Sequence, residues 1–154
     1  MVDRDAYLLD SNILLRLSKF DDQQHLVIVL ALKALIGQGV RLCYTSQTLA
    51  KFWNASRPPF EKNGFGLTIA ETDRLAHVIE RDFEFLPDSR ETHKRWRALL
   101  VADNIQGVQV HDARIAACMY VHGVRHLLTL NVRDFRRFEG LQAMHPADLA
   151  GARR

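Results

Sequence analysis

The sequence predicts an α/β domain built around a mainly parallel sheet, and three observations support this prediction. Strand-like and helix-like segments alternate along the 154 residues, without a repeat or a low-complexity segment. Hydrophobic residues make up 47% of the chain and charged residues 25%, which is the balance of a globular protein. The length suits one domain, so we expect a single domain over residues 1–148 and a mobile tail over residues 149–154.

Five short apolar segments predict the strands of the sheet. We expect these strands over Ala6–Leu9, Val40–Tyr44, Phe83–Leu86, Val124–Leu128 and Leu141–Met144. The first is a short buried strand that ends at Asp10, and the last is an edge strand.

Capping residues and glycines delimit the predicted helices. We expect helices over residues 12–18, 25–36, 46–55, 69–81, 89–104 and 111–122. Thr68 with Glu71 forms a capping box at the start of the fourth helix, and Asp88 with Glu91 forms a looser one before the fifth. Gly123 ends the sixth helix.

The helix over residues 25–36 is apolar on most of its faces. Such a helix is normally buried, so we expect it to lie partly in a dimer interface, with Lys33 near the edge of the buried face.

Composition excludes several classes of protein. Cys43 and Cys118 are the only cysteines, which excludes a disulfide scaffold and a four-cysteine zinc site. The longest apolar run is interrupted by Lys33 and is too short to span a bilayer, so we expect a cytoplasmic protein without a membrane partner. The net charge of +3 is compatible with a nucleic-acid partner.

Three aspartates stand where a strand ends or a helix begins. Asp10 ends the first strand, Asp112 lies in the first turn of a helix and Asp134 follows the fourth strand. The carboxyl ends of parallel strands form a ligand crevice, so these acids can meet there and bind a hard divalent cation. Each also has a structural alternative. Asp10 could cap a helix, Asp112 could serve the helix dipole, and Asp134 could pair with Arg136 or Arg137.

Three segments of the chain resemble the motifs of PIN-domain ribonucleases, and the closest resemblance is to VapC-like toxins of bacterial toxin–antitoxin pairs. They are residues 9–12 (LDSN), 111–117 (HDARIAA) and 129–135 (TLNVRDF). The resemblance covers nearly the whole chain. It implies a three-layer domain with a mainly parallel central sheet flanked by helices. It also implies RNA cleavage with Mg²⁺ or Mn²⁺, frequent homodimers and inhibition by a VapB-like antitoxin.

The resemblance also assigns roles to individual residues. The catalytic and metal-binding acids are Asp10, Asp112 and Asp134. The supporting polar residues are Asn12, Thr129 and Asn131.

Lys51 departs from the family pattern, because the resemblance places a glutamate at this position of the helix after the second strand. The replacement changes the local charge by about two units, so the affinity for a metal should fall. Three outcomes stay open: a weakened but active site, a degenerate PIN domain that binds RNA or a protein without cleavage, or a Lys51 side chain that turns to solvent. Glu61 is a conceivable substitute ligand.

A basic rim surrounds the third acid. Arg133, Arg136 and Arg137 flank Asp134, and such a rim can hold RNA phosphates beside a metal. The alternative is an ordinary solvated face. His111 could likewise touch a phosphate or have a structural role.

Overall fold

The computed structural model describes residues 5–57 and 65–151. The strands in these ranges are β1 (Ala6–Leu9), β2 (Arg41–Thr45), β3 (Glu84–Leu86), β4 (His126–Leu128) and β5 (Gln142–Met144). The helices are α1 (Ser11–Leu17), α2 (His25–Gly37), α3 (Ser46–Ser56), α4 (Ile69–Asp82), α5 (Arg90–Ala102), α6 (Gln109–His122) and α7 (Pro146–Ala150). A 3-10 turn spans Val132–Phe135.

The five described strands form one sheet in the order β3-β2-β1-β4-β5. Each neighbouring pair is parallel, and Leu8 of β1 lies in register with Cys43 of β2 and Leu127 of β4. The predicted α/β class with a mainly parallel sheet is therefore confirmed. The strand order reverses at β1, so the carboxyl end of this strand lies at the switch point where such sheets bind ligands.

Helices cover both faces of the sheet, which gives the domain three layers. Successive residues of a strand face opposite sides. Accordingly, Leu8 packs in one core with Ile115 and Met119 of α6, together with residues of α5. Its neighbour Leu9 packs in a second core with residues of α1, α2, α3 and α4, such as Leu32. The layered architecture positions the carboxyl end of β1 between two rigid cores.

Two of the predicted helix starts can be compared directly. The capping box of Thr68 and Glu71 at the start of α4 is confirmed. The one predicted for Asp88 with Glu91 is wrong, because Ser89 caps α5 instead. The Asp88 carboxylate accepts a hydrogen bond from Arg114 at 2.9 Å and therefore ties α5 to α6.

Within the single chain, helix α2 is buried on one face only. One face packs in the core, but Leu26, Leu30 and Ile36 are exposed. Lys33 is also exposed, and it follows Leu26 and Leu30 at helical spacing, so it lies on this outer face rather than at the edge of the buried one. The chain alone buries only one face of α2, and burial of the outer face in a dimer interface stays a prediction.

Helix α7 packs against α2 and was not predicted. Leu149 and Ala150, which the sequence assigns to a mobile tail, lie in this helix, and residues 152–154 are outside the described ranges. Within those ranges, none of the helices combines the length and the apolar character that crossing a membrane requires.

Candidate active site

A pocket of about 440 Å³ opens where β1 and β4 end, and we call it the acidic pocket. Its walls carry all three predicted acids, two of the predicted supporting residues and the atypical lysine: Asp10, Asp112, Asp134, Asn12, Asn131 and Lys51. They come from the ends of β1 and β4, from the starts of α1 and α6, from α3 and from the 3-10 turn. The fold thus brings together residues that are distant in sequence.

Asp10 is held rigidly at the end of β1. The residue is only 5% exposed, and its backbone N–H donates to the carbonyl of Leu128 in β4. One carboxylate oxygen, Oδ1, accepts the N–H of Ser11 at 2.7 Å, which makes Asp10 the cap of α1. The other, Oδ2, accepts the hydroxyl of Thr129 at 2.8 Å. Asp10 therefore caps a helix and lines the pocket at the same time.

Thr129 does not line the pocket but orients the residues that do. It is fully buried, and its hydroxyl donates to Asp10. The same oxygen accepts the backbone N–H of Asn131 at 3.0 Å and the amide of Asn12 at 3.4 Å. Asn12 in turn accepts the N–H of Leu130 at 3.2 Å. This network fixes the ends of β1 and β4 relative to one another.

Asp112 experiences the other charges of the pocket. Partial burial raises the pKa of this carboxyl above its ordinary value, and the Asp134 and Asp10 carboxylates raise it further. The strongest opposing influence is the positive charge of Lys51, followed by that of His111. Asp10 and Asp134 are therefore close enough to disfavour the ionisation of Asp112, and Lys51 is close enough to relieve part of that repulsion.

Lys51 is half-buried and lines the acidic pocket. In this structure the side chain does not turn away to solvent, which was one of the three outcomes that the sequence left open. Lys51 forms no ion pair with a carboxylate of the described residues, so its charge acts across the pocket rather than through direct contact. Glu61, the conceivable substitute ligand, lies outside the described residues.

Asp134 lies in the 3-10 turn and is exposed. Its carboxylate forms no ion pair within residues 5–57 and 65–151, so the alternative of pairing with Arg136 or Arg137 is wrong. Arg137 is occupied elsewhere, because it donates to the carbonyl of Asp103 at 2.8 Å and to the side chain of Gln109. Asp134 is therefore a free acid that faces the pocket.

The oxygen atoms that line the acidic pocket are of the chemical kind that binds a hard divalent cation. Carboxylate and amide oxygens are the ligands that Mg²⁺ prefers, and Mg²⁺ commonly uses only one or two carboxylates together with water. In the described part of the chain, no three acidic, histidine or cysteine side chains stand close enough to form a ready-made metal cluster. A cation would thus bind to one or two of the acids or draw the acids together.

The pocket also contains residues that the sequence did not single out as a group. Val108 and His111 come from the start of α6, which begins two residues earlier than predicted, and Leu15 and Ala55 supply apolar walls. The His111 carbonyl accepts the side-chain amide of Gln47 at 2.8 Å, which links α6 to α3. Only His111 had a sequence signal, namely its position next to Asp112.

The fold is similar to that of solved toxin–antitoxin proteins. VapBC-1 of nontypeable Haemophilus influenzae is 19% identical, with a TM-score of 0.64 over 92% of this chain and 98% of that chain. VapBC2 of Rickettsia felis, solved with a promoter DNA fragment, is 19% identical, with a TM-score of 0.63 over 91% of this chain and 98% of that chain.

Mycobacterium tuberculosis VapC20, described as a toxin that cleaves the sarcin–ricin loop, is more distant. It is 12% identical, with a TM-score of 0.58 over 79% of this chain and 86% of that chain. No protein-family model matches the sequence, and no curated protein does. The structural likenesses show that the chain has the fold of a VapC-like PIN domain.

Proposed function

We propose that this protein is a metal-dependent endoribonuclease of the VapC toxin type. The observation that carries the proposal is the acidic pocket itself: Asp10, Asp112 and Asp134 come from separate segments of a PIN fold and line one pocket. Asp10 and Asp134 both raise the pKa of Asp112. A structural cap or a surface ion pair does not require such a cluster of like charges, so this effect supports a functional site.

Asp10, Asp112 and Asp134 would hold Mg²⁺ or Mn²⁺. When bound, the metal supplies Lewis acidity that activates water and neutralises charge on a phosphodiester. The protein's own contribution is positional. Thr129 and the N–H of Ser11 fix the Asp10 carboxylate in the wall of the pocket, so that it needs little reorganisation to meet a cation. Hydrolysis with departure of the 3′-oxygen would leave 5′-phosphate and 3′-hydroxyl ends on RNA.

A second candidate function is a degenerate PIN domain that binds RNA or a protein without cutting. The observation that favours it is Lys51, whose charge lies inside the pocket where a metal would bind. A lysine there lowers the affinity for a cation but raises the affinity for a phosphate.

The proposed partners are a VapB-like antitoxin and a second copy of the chain. A solved structure of similar fold from Klebsiella pneumoniae is a toxin–antitoxin complex, which supports an antitoxin partner. The exposed Leu26, Leu30 and Ile36 of α2 support a homodimer. Light scattering at micromolar concentration should give about twice the 17.7 kDa chain mass, and a clean monomer would contradict the homodimer.

Cleavage of structured and unstructured RNA separates the two functions. The wild-type protein should cut RNA with Mn²⁺ and stop when EDTA is added. Asp112→Asn should abolish cutting, whereas Asp73→Asn, which removes an exposed acid on α4 outside the pocket, should not. Binding without cutting at any Mn²⁺ concentration would favour the degenerate domain. Persistent cutting in EDTA would contradict the metal mechanism.

A further inference from the structure

A second groove adjoins the acidic pocket and shares two wall residues with it. This arginine groove, of about 510 Å³, is lined by Arg133, Arg136, His145 and Asp148, together with Asn131 and Asp134. Asn131 and Asp134 also line the acidic pocket, so one chain of a ligand can pass from one cavity to the other across these two residues. We propose that the arginine groove binds the backbone phosphate of a nucleotide that flanks the scissile bond. This inference rests on the proposed ribonuclease function.

The two arginines of the groove are available to a ligand. Arg133 and Arg136 are exposed, and their guanidinium groups form no hydrogen bond or ion pair within the described residues. A guanidinium presents a rigid fork of N–H donors that matches a phosphate, and here no existing partner has to be displaced. The groove is therefore supplied with phosphate-binding groups that the fold does not otherwise use.

Arg137 differs from its two neighbours, although the sequence groups all three. Its side chain donates to the carbonyl of Asp103 and to Gln109, and it lines neither cavity. It thus fastens the 3-10 turn to the segment between α5 and α6. The structure divides the basic rim into one positioning arginine and two arginines that face the groove.

His145 offers one further hydrogen-bond donor to a ligand in the groove, and the structure fixes which ring nitrogen donates. Its Nδ1 accepts the N–H of Ala147 at 3.0 Å, so the proton of the neutral ring is on Nε2. Asp148 and Asp134 limit the positive charge of the groove. Two arginines and two acids suit one phosphodiester rather than a dense anion, and this favours the backbone of a nucleic acid over free phosphate or a nucleotide triphosphate.

RNA binding without cleavage tests this inference. The protein carries Asp112→Asn to prevent cutting, and a fluorescent single-stranded RNA is titrated by anisotropy at several salt concentrations in EDTA. Arg133→Gln with Arg136→Gln should weaken binding roughly tenfold at low salt and make the salt dependence shallower by about 0.7 in logarithmic slope, the value for one lost phosphate contact on a single strand. Asp148→Asn should tighten binding, because it removes an opposing charge.

The matched control is Arg90→Gln with Arg97→Gln. This pair removes the same total charge from exposed positions on α5 that line neither cavity. It should leave both affinity and slope nearly unchanged. If the two double variants weaken binding equally, or if RNA does not bind at all, the arginine groove is not a phosphate site. RNA cleavage by the protein without these substitutions decides the ribonuclease function separately, so the two proposals can fail independently.

Discussion

On one side of the acidic pocket, Asp10 is buried and each of its carboxylate oxygens accepts a hydrogen bond. On the other side, Asp134 is exposed and its carboxylate has no partner in the described part of the chain. The buried side is organised before any ligand arrives, and its residues also hold the fold together. The exposed side contributes charge without contributing much stability. Substitutions on the two sides should therefore separate folding from function.

The largest effect should come from Thr129→Val, which keeps the shape of the side chain but removes its hydroxyl. Asp10 would lose a buried donor and the N–H of Asn131 would lose its acceptor. We expect the free energy of unfolding to fall by about 2 kcal/mol and RNA cleavage to be lost. Denaturant unfolding measures the first effect. Thr129→Ser retains the hydroxyl and should therefore keep most of the cleavage activity. If the valine variant unfolds at the same denaturant concentration as the wild-type protein, the hydrogen bonds of Thr129 do not stabilise the fold as proposed.

Lys51→Glu should tighten Mn²⁺ binding by roughly tenfold, because it exchanges a repelling charge for an oxygen ligand. Calorimetric titration measures the affinity. The apo protein should become slightly less stable, since a fourth acid joins the pocket. Lys94→Glu makes the same change of charge on the exposed face of α5 and should leave the Mn²⁺ affinity unchanged. Equal affinities of wild type and Lys51→Glu would show that Lys51 does not oppose the metal.

Asp10→Asn and Asp134→Asn make the same chemical change on opposite sides of the pocket. Both should reduce metal binding and RNA cleavage. Asparagine is as good a helix cap as aspartate, but its amide cannot accept the Thr129 hydroxyl while its oxygen caps α1. Asp10→Asn should therefore lower the free energy of unfolding by about 1 kcal/mol. Asp134→Asn should change it by less than about 0.5 kcal/mol. Equal unfolding curves would remove the distinction between the two sides.

The smallest effect concerns the pH dependence of the apo protein. Because the pKa of Asp112 is raised in the fold, mainly by burial, its ionisation opposes folding once the pH rises above the pKa of an unfolded carboxyl. Asp112→Asn should therefore raise the melting temperature in EDTA at pH 7 by at most about 2–4 °C. The gain should vanish as the pH falls below about 4. If the higher melting temperature persists at low pH, ionisation of the Asp112 carboxyl is not what destabilises the fold.

Local sequence patterns predicted most of the fold because they report interactions between near neighbours. The strands, the capping box of Thr68 and the positions of Asp10, Asp112 and Asp134 at element ends were all readable in this way. The cap of α5 was misplaced by one residue, since Asp88 and Ser89 are both good caps and the choice depends on Arg114 of a distant helix.

The hydrogen bonds that position the site residues could not be predicted from local sequence patterns. The contact between Thr129 and Asp10 joins residues 119 positions apart, and the motif resemblance named Thr129 only as a supporting polar residue. The different roles of Arg136 and Arg137 depend on which of these adjacent residues reaches the carbonyl of Asp103. Helix α7 was missed because five residues are too few to show a helical period.

The position of β1 in the middle of the sheet has a consequence for synthesis on the ribosome. β1 and β2 leave the ribosome early, but β4, which closes the other side of β1, lies at residues 126–128. A nascent or truncated chain that stops before β4 lacks both the hydroxyl that orients Asp10 and the acid of the 3-10 turn. The acidic pocket of the proposed nuclease therefore cannot be complete until synthesis has passed Asp134.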